Sequence, residues 1–128
     1  MKTVLIADDS QTALMLVKTT LQRIPGLEFL AAGNGKEALA LMGQKPVDLL
    51  VTDINMPEMD GISLVREVRK TKTARELPIL IITAKGEDEA RDQGLALGAN
   101  AYVLKPLSGK ELFDLARKLL ETAPAVEV

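Results

Sequence analysis

Histidine and cysteine are both absent from the 128-residue chain. Without an imidazole there is no Ser-His-Asp triad, no histidine-ligated transition metal and no imidazole base. Without a thiol there are no disulfides and no thiol nucleophile. Any metal the chain binds must be a hard cation held by oxygen. Aromatic residues make up 2% of the chain, namely Phe29, Phe113 and Tyr102, too few for a platform that stacks bases or a flat cofactor ring. Positive charge is not in excess either: 16 basic residues face 18 acidic ones, a formal charge of −2. Direct binding to nucleic acid is therefore not expected. The apolar stretch after Met1-Lys2-Thr3 is brief and no later run reaches the span of a bilayer. A cytoplasmic protein with no membrane partner is expected.

What is present suits one globular domain with an aliphatic core: 47% hydrophobic and 27% charged residues in a chain of common domain length. Short apolar runs alternate with longer amphipathic ones. Strands are expected at 3–7, 28–32, 47–52, 78–82 and 101–104, each rich in β-formers or bounded by breakers. Between them, Ala13, Leu14, Val17, Leu21 and Ile24 keep to one face of a helix capped by Ser10. Asn34 with Glu37 resembles a capping pair for a helix through Met42, and Ser108 with Glu111 a capping box for the last helix. Asp60 before Gly61 caps a helix whose apolar stripe is Leu64, Val65 and Val68. Glu87, Asp88 and Glu89 load the first turn of the fourth helix with acid, favourable at its positive dipole end. Five strands alternating with five helices predict a doubly wound α/β fold with a parallel sheet and helices on both faces. The domain is expected over 1–121, with a short tail at 122–128.

In such a sheet the functional crevice lies at the carboxyl ends of the strands, and four of those ends carry reactive groups. The first ends on Asp8-Asp9, the third on Asp53, the fourth on Thr83 and the fifth on Lys105. Three crowded carboxylates repel one another unless a cation bridges them, and oxygen ligands with waters suit octahedral Mg²⁺. The expected magnesium site comprises Asp9, Asp53 and the main-chain carbonyl of Asn55, with Asp8 holding metal-bound water. Asp53 could then attack phosphorus while Lys105 and the Thr83 hydroxyl hold the other phosphoryl oxygens.

Asp8-Asp9-Ser10, the turn Asp53-Ile54-Asn55-Met56-Pro57-Glu58-Met59-Asp60-Gly61, Thr83-Ala84, Gly98-Ala99, Tyr102 and Lys105-Pro106 together resemble the receiver domain of two-component response regulators, from Val4 to about Leu120. The resemblance implies a flavodoxin-like sheet of order 2-1-3-4-5. It also implies Mg²⁺-dependent phosphorylation of Asp53 by a sensor histidine kinase or phosphotransfer protein, followed by hydrolysis of the acyl phosphate by the domain itself. The donor histidine then lies on the partner. Further implications are a cis peptide at Lys105-Pro106 and a switch in which Thr83 moves inward and Tyr102 follows. The face of the fourth helix, last strand and last helix would read out that switch to a target protein. Where many relatives carry Arg after the acidic pair, this chain has Ala13, Leu14 and Met15. With no output domain attached, it resembles stand-alone regulators, including the chemotaxis type.

Three other readings stand beside this one. A phosphatase of the haloacid dehalogenase kind also uses a strand-end Asp, Mg²⁺ and Lys, but generally needs a second acid two residues on, where this chain has Asn55. A flavin-binding relative of the same topology would need a Gly-rich phosphate loop after the first strand. A degenerate receiver acting as a scaffold would be expected to lack some acceptor-site positions, and here all are filled. Asn55 and Lys85 should flank the path of the attacking water, and Lys85 is expected either to slow dephosphorylation or to be an ordinary solvated lysine.

Overall fold

In the computed structural model, residues 1–121 are described, and they form five strands and five helices in strict alternation. The tail expected at 122–128 lies outside the described residues. The strands are β1 (Lys2–Ala7), β2 (Leu27–Ala32), β3 (Leu49–Asp53), β4 (Ile79–Thr83) and β5 (Ala101–Leu104). The helices are α1 (Gln11–Leu21), α2 (Gly35–Gln44), α3 (Gly61–Arg69), α4 (Asp88–Leu97) and α5 (Gly109–Glu121). All pairings are parallel and the order is β2-β1-β3-β4-β5, as the resemblance implies.

The sheet's two faces sort the core by strand parity, because successive side chains point to opposite sides. Val4, Ile6, Leu49, Val51, Leu80 and Ile82 pack with Val17 and Leu21 of α1 and Leu112, Ala116 and Leu120 of α5. Leu5, Leu50, Ile79 and Ile81 pack instead with Ala38 of α2 and Leu64, Val65 and Val68 of α3. All residues of β3 and β4 are buried, the mark of inner strands covered on both sides.

The expected caps form. Ser10, Asn34 and Asp60 each accept a main-chain N–H three residues on, from Ala13, Glu37 and Ser63. Ser108 accepts the N–H of Glu111. Two details differ from the sequence-based expectation. Glu37 reaches back not to Asn34 but to the N–H of Gly33. The third strand begins at Leu49, not Val47, because Asp48 accepts the N–H of Thr3 through its carboxylate and donates its own N–H to the Thr3 carbonyl. That exchange replaces one rung of the ladder with a side-chain bond and sets the register in which β3 enters the sheet. Lys105-Pro106 is cis.

Candidate functional site

The buried polar side chains among the described residues are Thr3, Asp8, Thr52, Asp53 and Thr83. Three of the five stand at the carboxyl edge of neighbouring strands, where burial of a polar group needs a compensating partner. Asp53 is the last residue of β3, and Leu49, Val51 and Asp53 share one face. The turn that follows is folded tightly back on it. Gly61 N–H donates to the Ile54 carbonyl at 2.8 Å, and a Cβ on Gly61 would stand 2.1 Å from the Asp53 carbonyl oxygen. No residue with a side chain fits there, so Gly61 lets α3 begin directly against the strand end.

Asp8 is delivered by β1, its N–H bonded to the Ala32 carbonyl of β2, and its carboxylate accepts the N–H of Ser10. Asp9 is exposed beside it. Each of Asp8, Asp9 and Asp53 offers a carboxylate oxygen, and these oxygens lie within 4.8 Å of one another. Lys105 is carried by the chain leaving β5 and is fixed by its own N–H, which donates to the Thr83 carbonyl at 2.7 Å. Its Nζ stands 3.1 Å from Asp53 Oδ1.

The electrostatics follow from this crowding. Burial holds the Asp8 carboxyl above its ordinary range; Asp53 and Asp9 push the same way, against the Ser10 N–H and Lys105. For Lys105, burial alone would lower the pKa, but the hydrogen bond and charge of Asp53, with Asp8 and Glu87, prevail and leave it raised. One lysine thus faces three carboxylates, and the pocket retains an excess of negative charge on oxygen ligands. A hard divalent cation fits that donor set.

The remaining expected residues are placed less directly. Thr83 ends β4, one residue past the Asp53–Ile82 pair, but its hydroxyl is turned to Glu87 Oε1 at 3.3 Å. The Asn55 side-chain amide donates to Glu87 Oε2. Tyr102 is half-buried, with the Arg91 guanidinium 4.8 Å from its ring centroid. Lys85 is exposed in the turn before α4. Glu87 itself was legible in sequence only as a first-turn helix acid. Its carboxylate also accepts the Ala84 N–H at 2.6 Å, so it gathers donors from both the β3 and β4 turns.

Comparison with known proteins bears on the family and the fold. A model of the response regulator receiver domain matches residues 4–117. The chemotaxis protein CheY homolog of Campylobacter jejuni is 36% identical over 119 residues, covering 92% of this chain and 92% of that protein. The phosphate regulon transcriptional regulatory protein PhoB of Pseudomonas aeruginosa is 36% identical over 119 residues, 93% of this chain but 52% of that protein. The chain spans about half the length of the first curated relatives it matches. Among solved structures, the receiver domain of the Francisella response regulator 1452 superposes with a TM-score of 0.84 at 33% identity, covering 97% of this chain and 100% of that one. The chemotaxis response regulator CheY4 of Vibrio cholerae gives 0.82 at 34%, with 93% and 98% covered.

Proposed function

This chain belongs to the response-regulator receiver family, and on that premise we propose that it accepts a phosphoryl group on Asp53 from a sensor histidine kinase or phosphotransfer protein. The observation that carries the reading is the buried Asp53 carboxylate, paired with Lys105 at 3.1 Å and flanked by Asp8 and Asp9. Receiver domains in general bind Mg²⁺ in an acidic pocket of this kind. Here Asp9, Asp53 and the Asn55 carbonyl would hold the ion, with Asp8 acting through water, and when bound it supplies neutralising charge to the carboxylates and the incoming phosphoryl group.

In the transfer, an Asp53 carboxylate oxygen attacks phosphorus, a P–O bond forms, and the P–N bond to the donor imidazole breaks. The Lys105 ammonium already stands beside Asp53 and balances the charge carried onto it. The Thr83 hydroxyl turns from Glu87 to a phosphoryl oxygen, so catalysis rests on positioned charge rather than on an acid or base. Hydrolysis of the acyl phosphate later returns the free carboxylate. Asn55 and Lys85 border the water's approach, with Lys85 slowing it; Lys85→Ala and Lys85→Glu should both shorten the phosphoprotein's lifetime, and equal decay rates would leave Lys85 a bystander.

For output, inward movement of Thr83 makes room for Tyr102, and the face built from α4, β5 and α5 docks a target protein. The similarity to the CheY homolog supports a signalling role of the chemotaxis type, exercised in the cytoplasm where the kinase carries its phosphohistidine. The phosphatase alternative has nothing comparable in support: the position where it needs an acid holds Asn55, whose amide is occupied as a donor to Glu87. Intact-mass measurement after incubation with acetyl phosphate and Mg²⁺ tests the proposal. One added phosphoryl group, lost in Asp53→Asn, is expected; no addition, or the same addition in the variant, would contradict it.

A further inference from the structure

Glu87 is a charged residue that the acceptor chemistry leaves unused, yet it is among the most heavily bonded side chains at the site. Its Oε1 accepts the Ala84 N–H at 2.6 Å and the Thr83 hydroxyl at 3.3 Å, and its Oε2 accepts the Asn55 amide. A hydroxyl, a main-chain N–H and a side-chain amide converging on one anion make an oxyanion cradle. These donors come from the two turns that flank Asp53, since Asn55 is two residues past it and Thr83 follows its register partner Ile82. The cradle is filled by the protein's own carboxylate. A second observation concerns position: Glu87 is the N-cap residue of α4 but makes no side-chain cap bond, its carboxylate being engaged on the strand side. The unpaired N–H groups of that helix end are left without it.

We propose that Glu87 is a built-in stand-in for the phosphoryl group, holding donors that a phosphoryl on Asp53 would take and having to swing away before they can be used. This rests on the acceptor reading of Asp53 and deepens it. Two consequences follow. An anion already in the cradle competes with the incoming phosphoryl oxygens and adds like charge to a pocket that holds three carboxylates, so Glu87 is a brake on phosphorylation. When displaced, its carboxylate is released at the start of α4, where free N–H groups can receive it. Occupancy of Asp53 is thereby passed to the first turn of the helix that carries Arg91 against Tyr102.

The test compares wild type, Glu87→Gln and Glu87→Ala for the rate of labelling by acetyl phosphate with Mg²⁺, and for the amide proton shift of Ala84 in the unphosphorylated protein. Loss of a charge-assisted bond corresponds to about a tenfold change. Glu87→Ala is expected to label about tenfold faster than wild type, and Glu87→Gln to fall between, because its amide oxygen can still accept while its charge is gone. The Ala84 amide proton should move upfield in Glu87→Ala. Labelling of all three at one rate, or slower labelling of the variants, would overturn the brake while leaving Asp53 as acceptor. An unmoved Ala84 resonance would overturn the cradle itself. Absence of labelling in all three would instead overturn the acceptor reading, and the brake with it.

Discussion

Asp8 is 3% exposed and shares its surroundings with two more carboxylates, so its charge is a liability to the ion-free fold. Its folded pKa lies above the ordinary 3.8, meaning that the folded state binds this proton more tightly than the unfolded chain does. At neutral pH the ionised group therefore subtracts from stability, and the loss fades as pH falls through the folded pKa toward 3.8. Asp8→Asn keeps an oxygen for the Ser10 N–H and removes the charge. In the presence of chelator its thermal midpoint should exceed that of wild type at pH 7, with the gain gone near pH 3.8; a variant no more stable at neutral pH would contradict the electrostatic account. Lys105 has the opposite sign. Its pKa is raised above 10.5, so its stabilisation is complete below that value and is lost as pH rises through the folded pKa. The acids and the lysine were legible in sequence because each sits at a strand end, a placement that periodicity alone fixes. Glu87 was not, since an acid in a helix's first turn has a sufficient reason to be there in the dipole, and only the path of the turn from β4 shows it curling back to Thr83.

Between elements, the junctions decide how accurately the site is built. The turn from β3 into α3 depends on Gly61, whose missing Cβ leaves room for the Asp53 carbonyl. Gly61→Ala should cost about 3 kcal/mol or more, the upper end for forcing atoms into a packed space. Denaturant titration would read this, and a loss well below 1 kcal/mol would show that the turn can relax without disturbing Asp53. At α4, Gly94 is the buried residue, and a Cβ there would come within 2.5 Å of Ile81 Cδ1, so the helix lies close against β4 while Ala90 and Leu97 pack half-buried on the core. Helices α1, α2, α3 and α5 were readable from their stripes and caps. The boundary of β3 was not: Val47 to Thr52 is a run rich in β-formers, and the pairing of the Asp48 carboxylate with the Thr3 N–H is what delays the strand's start to Leu49. Arg69 of α3 is a second feature of this kind. It spans from α3 to the Gly98 carbonyl and the Asn100 side chain, a tie between α3 and the turn before β5 that helical periodicity cannot reveal.

Taken as a whole, the molecule is a sheet whose two cores are built by strand parity, with its chemistry gathered at one edge and the first turn of α4 beside that edge. Under the proposed switch, occupancy of Asp53 can alter the proposed output face only by the difference in free energy it makes between two arrangements of Thr83, Glu87 and Tyr102. Beryllofluoride with Mg²⁺, which mimics the phosphoryl group, should therefore shift backbone resonances across 90–120 while leaving those of α2 nearly unmoved. Changes confined to the immediate surroundings of Asp53 would contradict the coupling. Alternating strands and helices with short connections made the parallel, doubly wound class readable from the sequence, whereas the order β2-β1-β3-β4-β5 was implied only by the resemblance to receiver domains. The central claim remains the identity of the acceptor. An acyl phosphate is reduced by borohydride to an alcohol, which turns a phosphorylated aspartate into homoserine and marks it permanently. After labelling with acetyl phosphate and Mg²⁺, reduction and peptide mass mapping should find homoserine at position 53, with Asp8 and Asp9 unchanged. Reduction at either of those residues, or at none, would contradict the account.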